Sequence, residues 1–187
     1  MFYTQEQLWA IGFGSVGENV FISDKTSIYN PKNIHIASNV RIDDFCILSA
    51  GDGGISIGNY VHIACGVTMI GAAKITLDDF SNVSGKSSIY SSSDDFSGRY
   101  LIGPTLPKGF SNVKNAPVYL KKYVILGCNT VVLPGVTIGE GVAVGALSLV
   151  SYDLDPYGIY AGSPLRRIKD RKREMVALSK TLIDDAK

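Results

Sequence analysis

The sequence predicts an all-β fold, a parallel β-solenoid with three flat sides, and two observations carry it. An aliphatic residue recurs at every sixth position through long stretches of the chain. Turn-forming dipeptides such as Gly58-Asn59 and Gly139-Glu140 fall between the hexads, in a chain with 20 glycines.

The longest run of hexads places Leu120, Leu126, Val132, Ile138, Val144 and Val150 in one phase. Val124, Thr130, Val136, Val142 and Ser148, small or β-branched, stand four places after the first five. The same beat runs upstream in three sets: Ile36, Ile42, Leu48; Ile57, Ile63, Met69; Leu77, Val83, Ile89. The phase slips at "SAGDGGIS" and "IGAAKIT", which read as small turn insertions. A period of six fits neither an α-helix nor an alternating strand. It fits a coil in which each hexad is one short strand plus one turn, and three hexads close a triangular rung. Rungs stack at about 4.8 Å, so the aliphatic positions become internal ladders. A sandwich of short strands does not hold one strict period through six consecutive hexads.

Two segments outside the coil read as helices. Residues 4–11 open with capping-box spacing, Thr4 and Gln7, and carry Leu8 and Trp9 as apolar bulk. Residues 167–185 read as an amphipathic helix with Ile168, Met175, Leu178 and Leu182 on one face. Residues 91–117 interrupt the repeat with acids, aromatics and prolines, and excursions of that length usually serve function. The chain is therefore expected to be one domain over 1–187. Within it, 1–19 form an N-terminal helix and cap, 20–90 and 118–152 the coils, 91–117 the inserted loop, and 153–187 a C-terminal extension and helix.

The bulk properties exclude several classes. A formal net charge of +1 gives no global pull toward nucleic acid. Cys46, Cys65 and Cys128 are odd in number and lack CxxC spacing, so they predict neither a disulfide framework nor a zinc site. They read as small buried residues of a cytoplasmic protein. The N-terminus lacks the basic start and apolar run of a signal peptide. No stretch reaches about 18 uninterrupted apolar residues, so no membrane span is expected.

The segment "IGEGVAVGALSLVSYDLDPYGIYAGSPLRRI" resembles the end of the sugar O- and N-acetyltransferases built on hexapeptide repeats, including the maltose and galactoside enzymes. "YAGSPLRRI" is similar to their Ala-Gly-x-Pro-Ala-x-x-Ile ending, and the loop after "VSGKSSIY" lies where that family places its active-site loop. The resemblance covers roughly residues 20–170. It implies a left-handed parallel β-helix, a homotrimer with clefts between neighbouring subunits, and acetyl-CoA as co-substrate with no metal required. It further implies a sugar or nucleotide-linked sugar as acceptor, in a surface-polysaccharide pathway.

Acyl transfer to a hydroxyl needs a base and an oxyanion donor. The family commonly places a histidine in the loop, within a Tyr-Thr-x-Thr-His-type segment. Here the matching segment is "IYSSSDDF", and the histidine's place falls on Asp94, beside Asp95. The two histidines of the chain are His35 and His62. His35 reads as structural. His62 sits at a corner, and one rung later its column holds Asn82, so His62, Asn82 and the loop are expected to converge on one cleft. His62 is then the base, with Asp94 or Asp95 orienting it or binding the acceptor. The competing assignment makes Asp94 the base. An amine acceptor manages without a strong base, so the loss of the loop histidine leaves O- and N-transfer both open. Tyr90, Phe96 and Tyr100 are candidate sugar-stacking aromatics.

For coenzyme A, the resemblance points to the late coils. Gly127, Cys128, Gly145 and Ala146 are light enough for the pantetheine arm to approach, and their backbone N–H groups are candidate donors. Ser151 stands where the family often has a polar contact. Arg166, Arg167 and Lys169 are expected to meet the phosphates. Two rivals exist. A zinc carbonic anhydrase of the same fold needs three histidines, and a non-catalytic scaffold needs no site at all.

Overall fold

The structure, a computed structural model, describes residues 1–185. The expected C-terminal extension runs to 187, and its last two residues lie outside the described ones.

Three sheets form the faces of a prism, with six, seven and six parallel strands, and the second carries one antiparallel strand more at its end. The first face stacks Ser15–Val16, Ile34–Ile36, Ile55–Ile57, Ile75–Leu77, Val118–Leu120 and Thr137–Ile138. The second runs from Val20–Ile22 through Val40–Ile42, His62–Ile63, Asn82–Val83, Ile125–Leu126 and Ala143–Val144 to Gly158–Ala161. The third stacks Ser27–Tyr29, Ile47–Ala50, Thr68–Gly71, Ser88–Tyr90, Val131–Val132 and Leu149–Val150.

The register is the one a period of six demands. On the first face Ile36, Ile57, Leu77, Leu120 and Ile138 lie in one ladder. Ile42, Ile63, Val83, Leu126 and Val144 form the second ladder. Leu48, Met69, Ile89, Val132 and Val150 form the third. All fifteen are at most 3% exposed. The core is thus three aliphatic columns, each side chain packed on its equivalents one rung above and below.

The buried hydroxyls at the corners are satisfied by backbone or carboxylate oxygens, Thr130 and Ser148 within their own turn. Thr130 Oγ1 donates to the Gly127 carbonyl at 2.7 Å, and Ser148 Oγ to that of Gly145 at 2.7 Å. Each hydroxyl reaches three residues back and closes its own turn, which is why a small β-branched or hydroxyl residue recurs four places after the aliphatic one.

The elements outside the coils depart from the sequence expectation in part. Helix α1 covers Gln5–Ile11, with both capping-box bonds to Thr4 in place and Gly12 as left-handed C-cap. Leu8 is buried, but Trp9 is 68% exposed and contributes no core. The coils begin at Ser15, inside the segment assigned to the cap, and the last parallel strand, Gly158–Ala161, lies beyond 152.

Helix α2 covers Glu174–Asp185 rather than starting at 167. Arg166–Asp170 instead forms an antiparallel strand on Gly158–Ala161, reached through Gly162 at φ +101°. The open end of a solenoid presents unpaired backbone, and this hairpin strand covers the last parallel strand there. Ile168 therefore lies on that strand, 60% exposed, and not on the helix.

Candidate active site

Corner conformation decides which side chains leave the prism. Between the first and second faces Tyr60, Phe80 and Tyr123 each adopt left-handed backbone, at φ 57°, 60° and 63°. Their rings stack at centroid distances of 4.9 and 5.5 Å. Stacking of this kind contributes about 0.5–1.5 kcal/mol per pair, which offsets the cost of a non-glycine residue in that region.

Beside this aromatic corner, on the second face, lies a groove of about 420 Å³ lined by Asn39, Arg41, Asp43, Tyr60, Val61 and His62. Arg41 and His62 occupy one column, and Asn82 follows in the next rung. His62 Nε2 lies 2.8 Å from Asp43 Oδ2, and Arg41 Nε donates to Asp43 Oδ1 at 2.7 Å. Burial opposes the charge of Asp43, but the hydrogen bonds from His62 and Arg41 prevail and hold its carboxyl below the usual carboxylate range.

The partner of His62 is therefore Asp43, not Asp94 or Asp95. The signal was present in the repeat: Asp43 lies two residues after Arg41 in the same strand direction, so both project outward. The expected convergence of His62 and Asn82 with the loop does not occur within one chain. The 91–117 excursion leaves the corner between the third and first faces, which in a triangular rung stands opposite the second face.

At the root of the loop Ser92–Ser93 pairs antiparallel with Lys114–Asn115, and Ser92 Oγ donates to Asn115 Oδ1 at 2.6 Å. Beyond the root, a cavity of about 400 Å³ is lined by Asp94, Asp95, Phe96, Gly98, Tyr100, Leu101 and Ile102, all loop residues. The two aspartates differ. Asp95 accepts from Ser97 N–H at 2.6 Å and from Asn112 Nδ2 at 3.0 Å, and these bonds lower its pKa. Both its oxygens fasten the loop. Asp94 is exposed, and among the described residues no hydrogen bond engages its carboxylate. Phe96 is 93% exposed and Tyr100 is 45% exposed beside it, while Tyr90 is half-buried on the third face below the loop.

The proposed coenzyme A residues fall into separate places. Gly127–Cys128 and Gly145–Ala146 stack at the corner between the second and third faces. A Cβ on Gly127 would stand 2.5 Å from the Ala146 nitrogen, so close rung packing already requires this glycine. The N–H groups of Gly127 and Gly145 donate to the Val144 and Tyr160 carbonyls at 2.8 and 2.7 Å, so they are not free for a ligand, contrary to expectation. Cys128 and Ala146 are exposed next to them. Ser151 is exposed but lies across the third face from that corner.

Arg166, Arg167 and Lys169 are exposed on the capping strand, and Arg167 pairs with Asp170. Of the cysteines, Cys46 is buried and its thiol is pushed up to about 11 by burial. Cys65 and Cys128, expected to be buried, are exposed because their corner turns side chains outward. His35 lies on the outer side of the first face, with Ser15 Oγ 3.1 Å from its Nδ1.

No family model matches the chain. It is 46% identical over 179 residues to the dTDP-4-amino-4,6-dideoxy-D-glucose acyltransferase of Escherichia coli, covering 95% of this chain and 93% of that one. It is 28% identical over 158 residues to the galactoside O-acetyltransferase of Escherichia coli K12, covering 84% of this chain and 64% of that one.

The crystal structure of AntD, an N-acyltransferase from Bacillus cereus in complex with dTDP and 3-hydroxybutyryl-CoA, matches with a TM-score of 0.95 at 50% identity. That match covers 99% of this chain and 97% of that one. AntD has also been solved as the S84C mutant with dTDP-4-amino-4,6-dideoxyglucose and coenzyme A, and as D94A and D94N mutants with dTDP and coenzyme A.

Proposed function

The chain belongs to the hexapeptide-repeat acyltransferases, with their left-handed β-helix, and from that premise we propose that it acylates the amine of a thymidine-diphosphate-linked amino sugar, using acyl-CoA. The observation that carries this reading is the Asp94 carboxylate lining the loop cavity, without a hydrogen-bond partner among the described residues, at the place where the resemblance puts the family's loop histidine. The amine nitrogen attacks the thioester carbonyl carbon, the carbon–sulfur bond breaks, and coenzyme A leaves as its thiol. The proton lost by nitrogen passes to the Asp94 carboxylate and from there to the departing sulfur. A carboxylate is a sufficient base for this, because the amine is nucleophilic once neutral and its acidity rises sharply as it bonds to the carbonyl.

This chain carries Ser84 and Asp94, the residue types and numbers substituted in the AntD mutant structures. Asp94 thus takes the role of base in preference to His62, and Asp95 is the residue that shapes the loop around it. Phe96 and Tyr100 flank the acceptor sugar, with Tyr90 beneath. Ser84 lies at the corner between the second and third faces, in the rung above Gly127–Cys128. The acyl-CoA arm runs down that corner past Cys128 and Ala146 toward Arg166 and Lys169.

Because the loop and the second face stand apart in one chain, the reading needs a second copy to bring Asp94 to Ser84. A homotrimer supplies it. Both substrates belong to the cytoplasm, where we place the enzyme, and its product suits surface-polysaccharide assembly. The experiment is thiol release from acetyl-CoA with dTDP-4-amino-4,6-dideoxyglucose, against the same nucleotide sugar bearing a hydroxyl in place of the amine. Release with the hydroxyl sugar alone overturns amine acylation.

A further inference from the structure

Gly85 is a glycine that neither its backbone nor its packing explains. Its φ lies outside the left-handed region. The corner glycines that directly follow a ladder residue, Gly58, Gly127 and Gly139, would bring a Cβ to 2.7, 2.5 and 2.6 Å from a neighbouring backbone atom. Gly85 stands one place further on in its hexad. A Cβ there would meet the Cys65 carbonyl oxygen at 3.1 Å and nothing else within 4 Å, a contact that a small shift relieves.

Its outer side is open. Cys65 lies one rung above Gly85 and Cys128 one rung below, both exposed. Between these two thiols the missing side chain leaves a notch at the corner of the second and third faces, next to Ser84. The backbone donors of this corner are unused as well. At the corner between the first and second faces, the equivalent N–H groups of Ser38 and Asn59 are capped at 3.1 and 2.8 Å by the side chains of Asn59 and Asp79. The N–H groups of Gly85, Cys128 and Ala146 have no hydrogen-bond partner among the described residues. Backbone with unused donors and no side chain of its own is where a ligand can approach closely.

The acyl-CoA arm proposed above occupies this corner from Arg166 past Ala146 and Cys128, and Gly85 is the next rung, about 4.8 Å further. The arm ends in the thioester, so the group that extends beyond it toward Cys65 is the acyl chain. The hydrogen on Gly85 leaves room for that chain. The Cys65 thiol bounds the room with a small, polarizable group that an apolar tail can meet.

We propose that Gly85 determines acyl-group specificity: its notch admits acyl groups longer than acetyl, and a side chain at this position shortens the group that the enzyme transfers. The proposal rests on the acyl-CoA reading above. The test is steady-state kinetics of the full-length protein with acetyl-CoA and with butyryl-CoA, each against dTDP-4-amino-4,6-dideoxyglucose. It compares the wild type with Gly85→Val and with Cys65→Leu, which fills the notch from the rung above.

The wild type is expected to use both donors, and the ratio of kcat/KM for butyryl-CoA to that for acetyl-CoA should fall about tenfold or more in each variant. A ratio left at its wild-type value in both variants, including an equal loss with both donors, overturns the role of Gly85 and leaves the acyl-transfer reading standing. A wild type that uses acetyl-CoA but not butyryl-CoA does the same. A wild type that transfers neither acyl group overturns that reading, and Gly85 with it. Should Gly85→Val fail to fold, as judged by its Tm, Gly85→Ala replaces it, with the same expected direction and the same refutation.

Discussion

Asp43 Oδ2 stands 2.8 Å from His62 Nε2 across one rung, and the same carboxylate takes Arg41 Nε from its own strand at 2.7 Å. The pair explains why His62 does not need the loop: its orienting partner is built into the coil. Since the folded carboxyl is held below its ordinary pKa, the stabilisation is present above the usual carboxylate range and is lost as pH falls through the folded value. Asp43→Asn should lower the unfolding free energy at pH 7 by about 1–3 kcal/mol. The difference from wild type should close as pH drops below about 4. Urea midpoints at the two pH values measure it, and a gap that does not change with pH contradicts the ion-pair account.

The two loop aspartates should separate kinetically. Asp94→Asn is expected to reduce kcat by about 10²–10⁴ while coenzyme A affinity holds. Asp95→Asn loses the carboxylate that fastens Ser97 and Asn112, so it should chiefly raise the KM for the acceptor through a looser loop. Steady-state kinetics of both variants decide the matter. Equal kcat losses would mean that Asp95 is more than a fastener.

Gly127 tests whether corner glycines serve packing or ligand approach. A Cβ there would meet the Ala146 nitrogen at 2.5 Å, a backbone atom that cannot swing aside. Gly127→Ala should cost about 1–3 kcal/mol by overpacking, visible as a lower Tm without any coenzyme present. An unchanged Tm with weakened coenzyme A binding would return the glycine to the ligand.

The C-terminal helix is tied down on both sides of its junction with the coils. Arg171 Nη1 donates to the Tyr123, Gly141 and Val142 carbonyls at 2.8, 3.2 and 3.3 Å, and burial lowers its pKa. Tyr123 OH meets Ser179 Oγ at 2.7 Å on the other side of the same junction. Arg171→Met leaves those carbonyls short of a donor and should release α2 locally. Limited proteolysis should then cut within 171–185 well before the coils, and a wild-type digestion pattern would place the anchor elsewhere.

A period of six in the sequence was enough to name fifteen inward residues of the three ladders, though not Val16, Ile22, Ile28 and Tyr160 at their ends, and to put Asn82 beside His62. Both follow from spacing along the chain, because a rung repeats the same local turn and each residue's neighbours are its equivalents one turn away. The capping box at Thr4 was legible for the same reason. The start of α2 was not: Arg166–Asp170 has enough apolar and basic character for either state, and its strand exists because the last rung offers an unpaired edge to cover. Nor was the distance between His62 and Asp94 legible. Thirty-two positions apart in sequence, they are assigned to different sides of the prism by the corner at which the loop departs, a property of the closed rung and not of any segment within it.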